Sequence, residues 1–100
     1  MEVKTRITGT KFKGAIAVEA LAEIEKGDRL MLRRDPSNRY DSNAIEVYWM
    51  GHHLGFIPKK DNPEPAVAMD AGKPVECVCE NTAVVANGRI EAEPIVVLSW

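Results

Sequence analysis

The sequence predicts a small, mainly β domain, a curled sheet or barrel of about five to seven strands with two short helices. Two observations support this class. Several segments alternate apolar and polar residues with the period of two that half-buried strands require, and only two segments have helical spacing. One hundred residues suffice for one hydrophobic core but not for two, so we expect residues 1–100 to form a single domain.

The N-terminal segment predicts a strand followed by a helix. Residues 3–8 alternate, which is typical of a half-buried first strand. After Gly14, apolar residues recur at helical spacing, and they are Ile16, Ala20, Leu21 and Ile24. This spacing predicts a helix over residues 15–25, with Gly27 as its C-cap.

The remainder of the chain predicts mostly strands. They span residues 29–34, 44–50, 54–57, 75–79 and 95–100. The second and third of these form a hairpin with a tight turn near Gly51 and His52. A second helix over residues 64–71 begins with prolines and stops at Gly72, and Asn87-Gly88 marks another turn.

Composition limits the classes of partner and compartment. A net charge of −2 and a pI near 5.7 disfavour a general polyanion binder, although residues 1–40 are net basic and the rest is net acidic. The N-terminus has no signal-peptide pattern and no segment is long enough to cross a bilayer, so we expect a cytoplasmic protein without a membrane partner.

No pattern of catalytic residues is evident. There is no phosphate-binding loop, nucleophile elbow or helical carboxylate pair. Cys77 and Cys79 fall on one face of a strand, which favours core packing over redox or zinc chemistry. His52 and His53 are adjacent, so they point apart and do not readily share a metal site with Asp41. We expect no enzyme activity, no metal and no cofactor.

Binding chemistry is concentrated in residues 33–43, with residues 56–60 as a second segment. Arg and Lys neutralise phosphates, a tyrosine ring can stack on a base, and Asn or Asp can hydrogen-bond a base edge or a terminal hydroxyl. A purely structural interpretation is also open, because Asp35, Asn38 and Asp41 are suited to capping turns. From these residues alone, the ligand stays open.

The chain from about residue 3 to residue 100 resembles the HIRAN domain family. The resemblance rests on Leu30-x-Leu32-x-Arg34-Asp35-Pro36-x-Asn38-x-Tyr40-Asp41-x-Asn43-Ala44-Ile45-x-Val47, followed by Leu54-Gly55-Phe56-Ile57-Pro58. It implies an OB-like β-barrel of about six strands. The resemblance further implies a domain found alone in bacteria and fused to helicase-like or nuclease-like chains in DNA repair, which in the best understood members grips single-stranded DNA, particularly a free 3′ end.

The resemblance also implies residue roles. Asp41 would accept a hydrogen bond from the terminal 3′-hydroxyl, Tyr40 would contact the terminal nucleotide, Asn38 would support the pocket, and Lys59 would face phosphate. Phe12 keeps the aromatic character that end-binding members have just before the glycine that aligns with Gly14. The expected DNA-binding set is Lys11, Phe12, Lys13, Arg34, Asn38, Arg39, Tyr40, Asp41 and Lys59, with the cations converging around Tyr40 and Asp41.

Residues 80–87 contain no counterpart of the family's later base-stacking aromatic. Because one base–aromatic stack contributes about 1–3 kcal/mol, we expect this domain to bind DNA more weakly than members that have the aromatic, by an order of magnitude or more.

The principal alternative is a protein-interaction module that recruits a partner chain through the acidic second part or by strand addition at residues 95–100. A metal-dependent nuclease is the third hypothesis.

Overall fold

The computed structural model describes residues 1–100 and contains eight strands and two α-helices. The strands are β1 (Glu2–Arg6), β2 (Arg29–Arg34), β3 (Ile45–Trp49), β4 (His52–Phe56), β5 (Glu76–Asn81), β6 (Val84–Ala86), β7 (Arg89–Ala92) and β8 (Ile95–Ser99). The helices are α1 (Gly14–Glu23) and α2 (Pro63–Asp70), and a short 3-10 helix covers Thr10–Phe12. Neither α-helix has the length and apolar character that crossing a bilayer requires.

Six strands form one antiparallel sheet in the order β1-β8-β5-β2-β3-β4, and the sheet curls until its two edges meet. The meeting point is a bridge between Thr8, just beyond β1, and Phe56, the last residue of β4. Thr8 N donates to Phe56 O at 2.8 Å, and Phe56 N donates to Thr8 O at 2.9 Å. The expected fold class, a small OB-like β structure with two short helices, is confirmed.

Gly55 permits this closure. Its φ of 152° is a conformation that side chains rarely adopt, and a Cβ there would overlap the backbone oxygen of Thr8. Only glycine lets β4 approach the end of β1 closely enough for the bridge to form. The motif glycine is therefore explained by the geometry of the sheet edge.

One hydrophobic core fills the inside of the curled sheet. Its largest fully buried side chains come from separate elements, and they include Ile7, Leu21, Ile45, Leu54 and Leu98. The predicted alternation is confirmed in β2, β3 and β8, where residues on the core side are more buried than their neighbours on the other side. Helix α1 contributes Ala20 and Leu21 to the same cluster.

Cys77 and Cys79 both lie in this core as free thiols, each 1% exposed. Burial, with a smaller contribution from Cys79, raises the pKa of the Cys77 thiol to about 12. Burial also raises the pKa of Cys79. Both sulfurs stay protonated at neutral pH and behave as small apolar groups, as the sequence indicated.

The two helices lie close to their expected positions. Of the two expected hairpin turns, one is confirmed and the other lies one residue earlier than expected. Asn87 and Gly88, both with positive φ, form the tip of the β6–β7 hairpin as expected. The β3–β4 turn, however, lies at Met50 and Gly51, with φ values of 51° and 81°, and not at Gly51 and His52. His52 is a strand residue that pairs with Trp49.

The expectation that residues 95–100 form a free edge strand is wrong. Strand β8 lies between β1 and β5 and hydrogen-bonds to both. Its backbone groups are already paired, so it cannot accept an added strand from a partner. The interior position follows from chain closure, because the last strand inserts between the first strand and β5, and no local pattern encodes that pairing.

Candidate functional site

The loop between β2 and β3 is ordered by side-chain to backbone hydrogen bonds centred on Asn38. Its Oδ1 accepts bonds from the backbone N–H groups of Tyr40 at 2.9 Å and Asp41 at 3.1 Å. Its Nδ2 donates to Oδ2 of Asp35 at 3.0 Å. Asn38 thus fixes the backbone that carries the next two side chains.

Both carboxylate oxygens of Asp41 are engaged by the protein. Oδ1 accepts a bond from the backbone N–H of Asn43 at 2.9 Å, and Oδ2 accepts one from Nδ2 of Asn62 at 2.7 Å. Asn62 is 1% exposed and stands immediately before α2. A carboxylate has about four lone-pair sites, so Asp41 is held in place and can still accept a further hydrogen bond.

Asp41 lies in the wall of a groove of about 430 Å³. The groove is lined by Thr8, Asn38, Tyr40, Asp41, Ala44, Phe56, Ile57 and Lys59. Tyr40 is 81% exposed, so its ring is available to a ligand. The structure therefore brings together Asn38, Tyr40, Asp41 and Lys59, four of the residues expected in the site.

Three cations lie over aromatic rings of this surface. Nζ of Lys13 is 4.8 Å from the centroid of the Phe56 ring, and the guanidinium carbon of Arg39 is 5.8 Å from that of Tyr40. Nζ of Lys11 is 5.3 Å from the centroid of Phe12. Such cation–π contacts hold the charge beside a flat face without neutralising it.

The charges of these cations are not compensated by acidic partners. Lys11, Lys13, Arg39 and Lys59 form no salt bridge, whereas every Lys and Arg of β1 and β2 is paired with a carboxylate. Unpaired positive charge is therefore present around the groove although the chain as a whole is acidic.

A second groove of about 310 Å³ adjoins the first, since Thr8 lines both. Lys11 and Phe12 form part of its wall, and Phe12 is 79% exposed. Glu91 and Glu93 also line this groove. Lys11 and Phe12 thus stand next to the Tyr40 groove, in a groove that two acidic residues also line.

Arg34 does not belong to this group of unpaired cations. Its Nη1 and Nη2 donate to the backbone oxygens of Ala44 at 2.6 Å and Ser42 at 2.9 Å, and its Nε donates to Asp70 at 2.9 Å. Its side chain is only 12% exposed. The contact lowers the pKa of Asp70. Arg34 ties the loop to α2, and we assign it a structural role in place of the expected phosphate contact.

His53 lies behind Phe56 and does not sit at a solvated hairpin tip. Its ring stacks on Tyr48 at 4.9 Å between centroids and meets the edge of Phe56 at 5.0 Å. Burial, reinforced by the charge of Lys13, lowers the pKa of His53, with Glu46 opposing the shift. The neutral imidazole is favoured, and the ring supports the groove wall by packing.

Three residues that shape the site were absent from the expected set. Phe56 and Thr8 meet only because the sheet closes, and Asn62 reaches Asp41 from 21 positions away. The Leu54–Pro58 motif contained a signal for Phe56. No sequence pattern pointed to Thr8 or Asn62. No cluster of three or more His, Cys, Asp or Glu side chains is arranged to hold a metal ion.

The closed sheet and its aromatic, cation-lined groove define a small β-barrel binding domain. The sequence profile of the HIRAN domain matches residues 1–97, and the chain belongs to this family. A search among curated proteins finds no match.

Two solved structures share the fold. The crystal structure of the HIRAN domain of human HLTF has a TM-score of 0.72 at 20% identity, covering 97% of this chain and 72% of that one. A crystal structure of a protein from Lactobacillus plantarum also has a TM-score of 0.72, at 23% identity, covering 100% of this chain and 98% of that one. At these identities, the likeness establishes the fold.

Proposed function

We propose that this HIRAN domain binds single-stranded DNA and holds a free 3′ end in the Tyr40–Asp41 groove, in the context of DNA repair or processing. The observation that carries the proposal is the groove itself, which gathers Tyr40, Asp41, Phe56 and Lys59 on one surface. Helicase-like or nuclease-like chains are the proteins that such a module would serve.

Recognition of the end is assigned to Asp41. Its two oxygens are fixed by Asn43 and Asn62, so a terminal 3′-hydroxyl meets an acceptor that needs no reordering. An internal nucleotide has no proton on its O3′ and offers no such bond. A 3′-phosphate brings negative charge against the carboxylate, which opposes binding. The preference for a free 3′ end follows from these two differences.

Contact with the bases is assigned to Tyr40 and Phe56. The exposed Tyr40 ring and the half-buried Phe56 ring line the same groove, so each offers an aromatic face or edge to a nucleotide entering it. Stacking tolerates any sequence because every base has a π-face. The domain should therefore discriminate ends rather than sequences.

Contact with the backbone is assigned to Lys11, Lys13, Arg39 and Lys59. Each phosphate neutralised on a single strand contributes about −0.7 to the slope of log K against log salt concentration, so four contacts give a slope of about −3. Because the remainder of the molecule is acidic, binding should be confined to this face and should weaken steeply with salt.

Fluorescence anisotropy with a labelled oligonucleotide tests the proposal. A 3′-hydroxyl strand should bind at least tenfold more tightly than the same strand with a 3′-phosphate, and Asp41→Asn should remove most of that difference. Asp70→Asn is the matched control, since Asp70 pairs with Arg34 outside the groove and should not affect the preference. Equal binding of free and blocked ends at low salt would rule out the end-binding function.

A metal-dependent nuclease predicts a different result. Incubation of the oligonucleotide with the domain and Mg²⁺ or Mn²⁺ would shorten the strand if the chain cleaved DNA. We expect the strand length to remain unchanged, because the groove contains one carboxylate that its neighbours already engage.

A further inference from the structure

A further concave surface lies at the opposite end of β4 from the DNA groove. Phe56 ends β4 beside Tyr40, whereas His52 begins it, beside the Met50–Gly51 turn. A groove of about 520 Å³ separates this turn from α1. We call it the α1–turn groove, and its lining includes Ile16, Glu19, Glu23, Trp49, Met50 and His52.

Apolar side chains are unusually exposed there. Ile16 is 62% and Met50 is 76% exposed, and Trp49 beside them is only partly buried while packing on the core. Apolar side chains scattered singly on a surface need no explanation, but three around one concavity indicate a binding site. Methionine is also well suited to contact a partner, because its flexible thioether adapts to different shapes.

Met50 has a backbone conformation that disfavours it. With φ of 51° followed by Gly51 at 81°, it occupies a turn position where asparagine or glycine would be less strained. The chain therefore places a large apolar side chain, in a strained conformation, at an exposed hairpin tip. Folding alone does not call for this choice, which makes it an independent indication that Met50 has a binding role.

The charges that line the groove indicate that its partner is positively charged. Glu19 and Glu23 stand one helical turn apart on α1, and neither forms a salt bridge. No Lys or Arg lines the groove. Two unpaired carboxylates repel DNA and anionic lipid surfaces and attract cations. They complement a chain that carries Lys or Arg beside an apolar residue.

We propose that the α1–turn groove docks a short basic segment of a partner protein, with one or two large apolar side chains between Ile16, Trp49 and Met50 and flanking Lys or Arg residues on Glu19 and Glu23. The site is separate from the DNA groove and is independent of its ligand. A partner bound there would leave Tyr40 and Asp41 accessible, so the domain could hold DNA and a protein at once.

A phage-displayed library of 16-residue random peptides, selected on the immobilised full chain, tests the proposal. Enriched peptides should be basic and contain a large apolar residue, and they should shift the amide NMR signals of Ile16, Glu19, Trp49 and Met50. Met50→Asn, which relieves the turn, should weaken binding at least tenfold without unfolding the domain. Glu19→Lys combined with Glu23→Lys should weaken it by at least the same factor.

Val67→Asn is the matched control, because Val67 is an exposed apolar residue of α2 outside the groove. It should leave peptide binding unchanged, and both Val67→Asn and Met50→Asn should bind oligonucleotide as the parent chain does. The proposal is overturned if no basic peptides are enriched, if they bind Met50→Asn equally well, or if Met50→Asn weakens DNA binding instead. Concentration-dependent dimerisation abolished by Met50→Asn would equally overturn it, by identifying a second copy as the occupant.

Discussion

Asn62 donates a hydrogen bond from Nδ2 to Oδ2 of Asp41 at 2.7 Å and so joins the start of α2 to the loop that carries Tyr40. The other polar atom of the same side chain, Oδ1, is buried and has no partner. An unsatisfied buried acceptor lowers the stability of the folded chain. Stability alone therefore does not account for Asn62, whereas its hydrogen bond to Asp41 does. Asn62 is therefore a positioning residue for the proposed end contact.

Replacing Asn62 should change the preference for a free 3′ end without a large change in the stability of the domain. Asn62→Ala loses the bond to Asp41 but also removes the unpaired acceptor, and the two opposing terms should leave the unfolding free energy changed by less than about 2 kcal/mol. The preference for a 3′-hydroxyl over a 3′-phosphate should nevertheless fall several-fold in anisotropy titrations. Ser42→Ala, an exposed change in the same loop, is the control. An unchanged preference would show that Asn62 does not position Asp41.

Gly55 should be the most sensitive glycine of the fold. Gly55→Ala forces a Cβ against the Thr8 oxygen at a strained φ and should destabilise the domain by about 2–5 kcal/mol. Gly88→Ala, which has positive φ but open space around it, should cost only about 1 kcal/mol. Urea unfolding of both variants provides the comparison. Equal losses would mean that the close approach at Thr8 does not determine the sheet closure.

Arg34 should behave as a structural residue. Arg34→Lys keeps the charge but cannot reproduce the bonds to both loop carbonyls, and it should cost about 1–3 kcal/mol of unfolding free energy. Arg34→Met, which removes the charge, should leave the salt dependence of oligonucleotide binding the same, whereas Lys59→Ala should reduce the magnitude of the slope by about 0.7. A reduced slope for Arg34→Met would show that Arg34 contacts phosphate.

The aromatic faces should contribute affinity independently of end recognition. Tyr40→Ala should weaken binding of single-stranded DNA by about 5- to 150-fold, corresponding to one lost stack, while Tyr40→Phe should keep most of the affinity. Because Tyr40 is exposed, urea unfolding of Tyr40→Ala should match that of the parent chain. Equal affinities of the parent and Tyr40→Ala would exclude stacking on this ring.

His53 should make stability depend on pH. Its pKa in the folded chain is lowered from the ordinary value of 6.5, chiefly by burial, so protonation favours the unfolded chain. Its full contribution is present above pH 6.5 and is lost as the pH falls from there through the lowered pKa. His53→Phe should reduce this decline in urea-unfolding series between pH 7.5 and about pH 5, and His52→Ala, an exposed change, should not. The same decline in both variants would place its origin elsewhere.

Much of the secondary structure was predictable because its signals are local. Strand β2 has its predicted bounds, and the alternation in β3 predicted which side chains enter the core. The β3–β4 turn was predicted one residue too late, because the chain places Met50, a residue type that rarely adopts positive φ, at its first position. The interior position of β8 was also wrong, because strand order depends on contacts between the chain ends.

The candidate site was predictable in part. Motif resemblance located Asn38, Tyr40, Asp41 and Lys59, and these residues line one groove. Arg34 was also expected in the DNA-binding set, but the sequence could not show that Ser42, Ala44 and Asp70 would occupy its guanidinium. Such hydrogen bonds join residues up to 36 positions apart, and periodicity carries no information about them.

The sequence by itself determined the family, the mainly β class and the faces that are buried, because apolar periodicity and turn residues act over a few neighbouring positions. Only the tertiary structure decided that Thr8 meets Phe56, that Asn62 holds Asp41, and that Met50 stands beside Ile16. These contacts form because the sheet closes around one core. The packing of the whole chain then determines which distant segments lie next to each other.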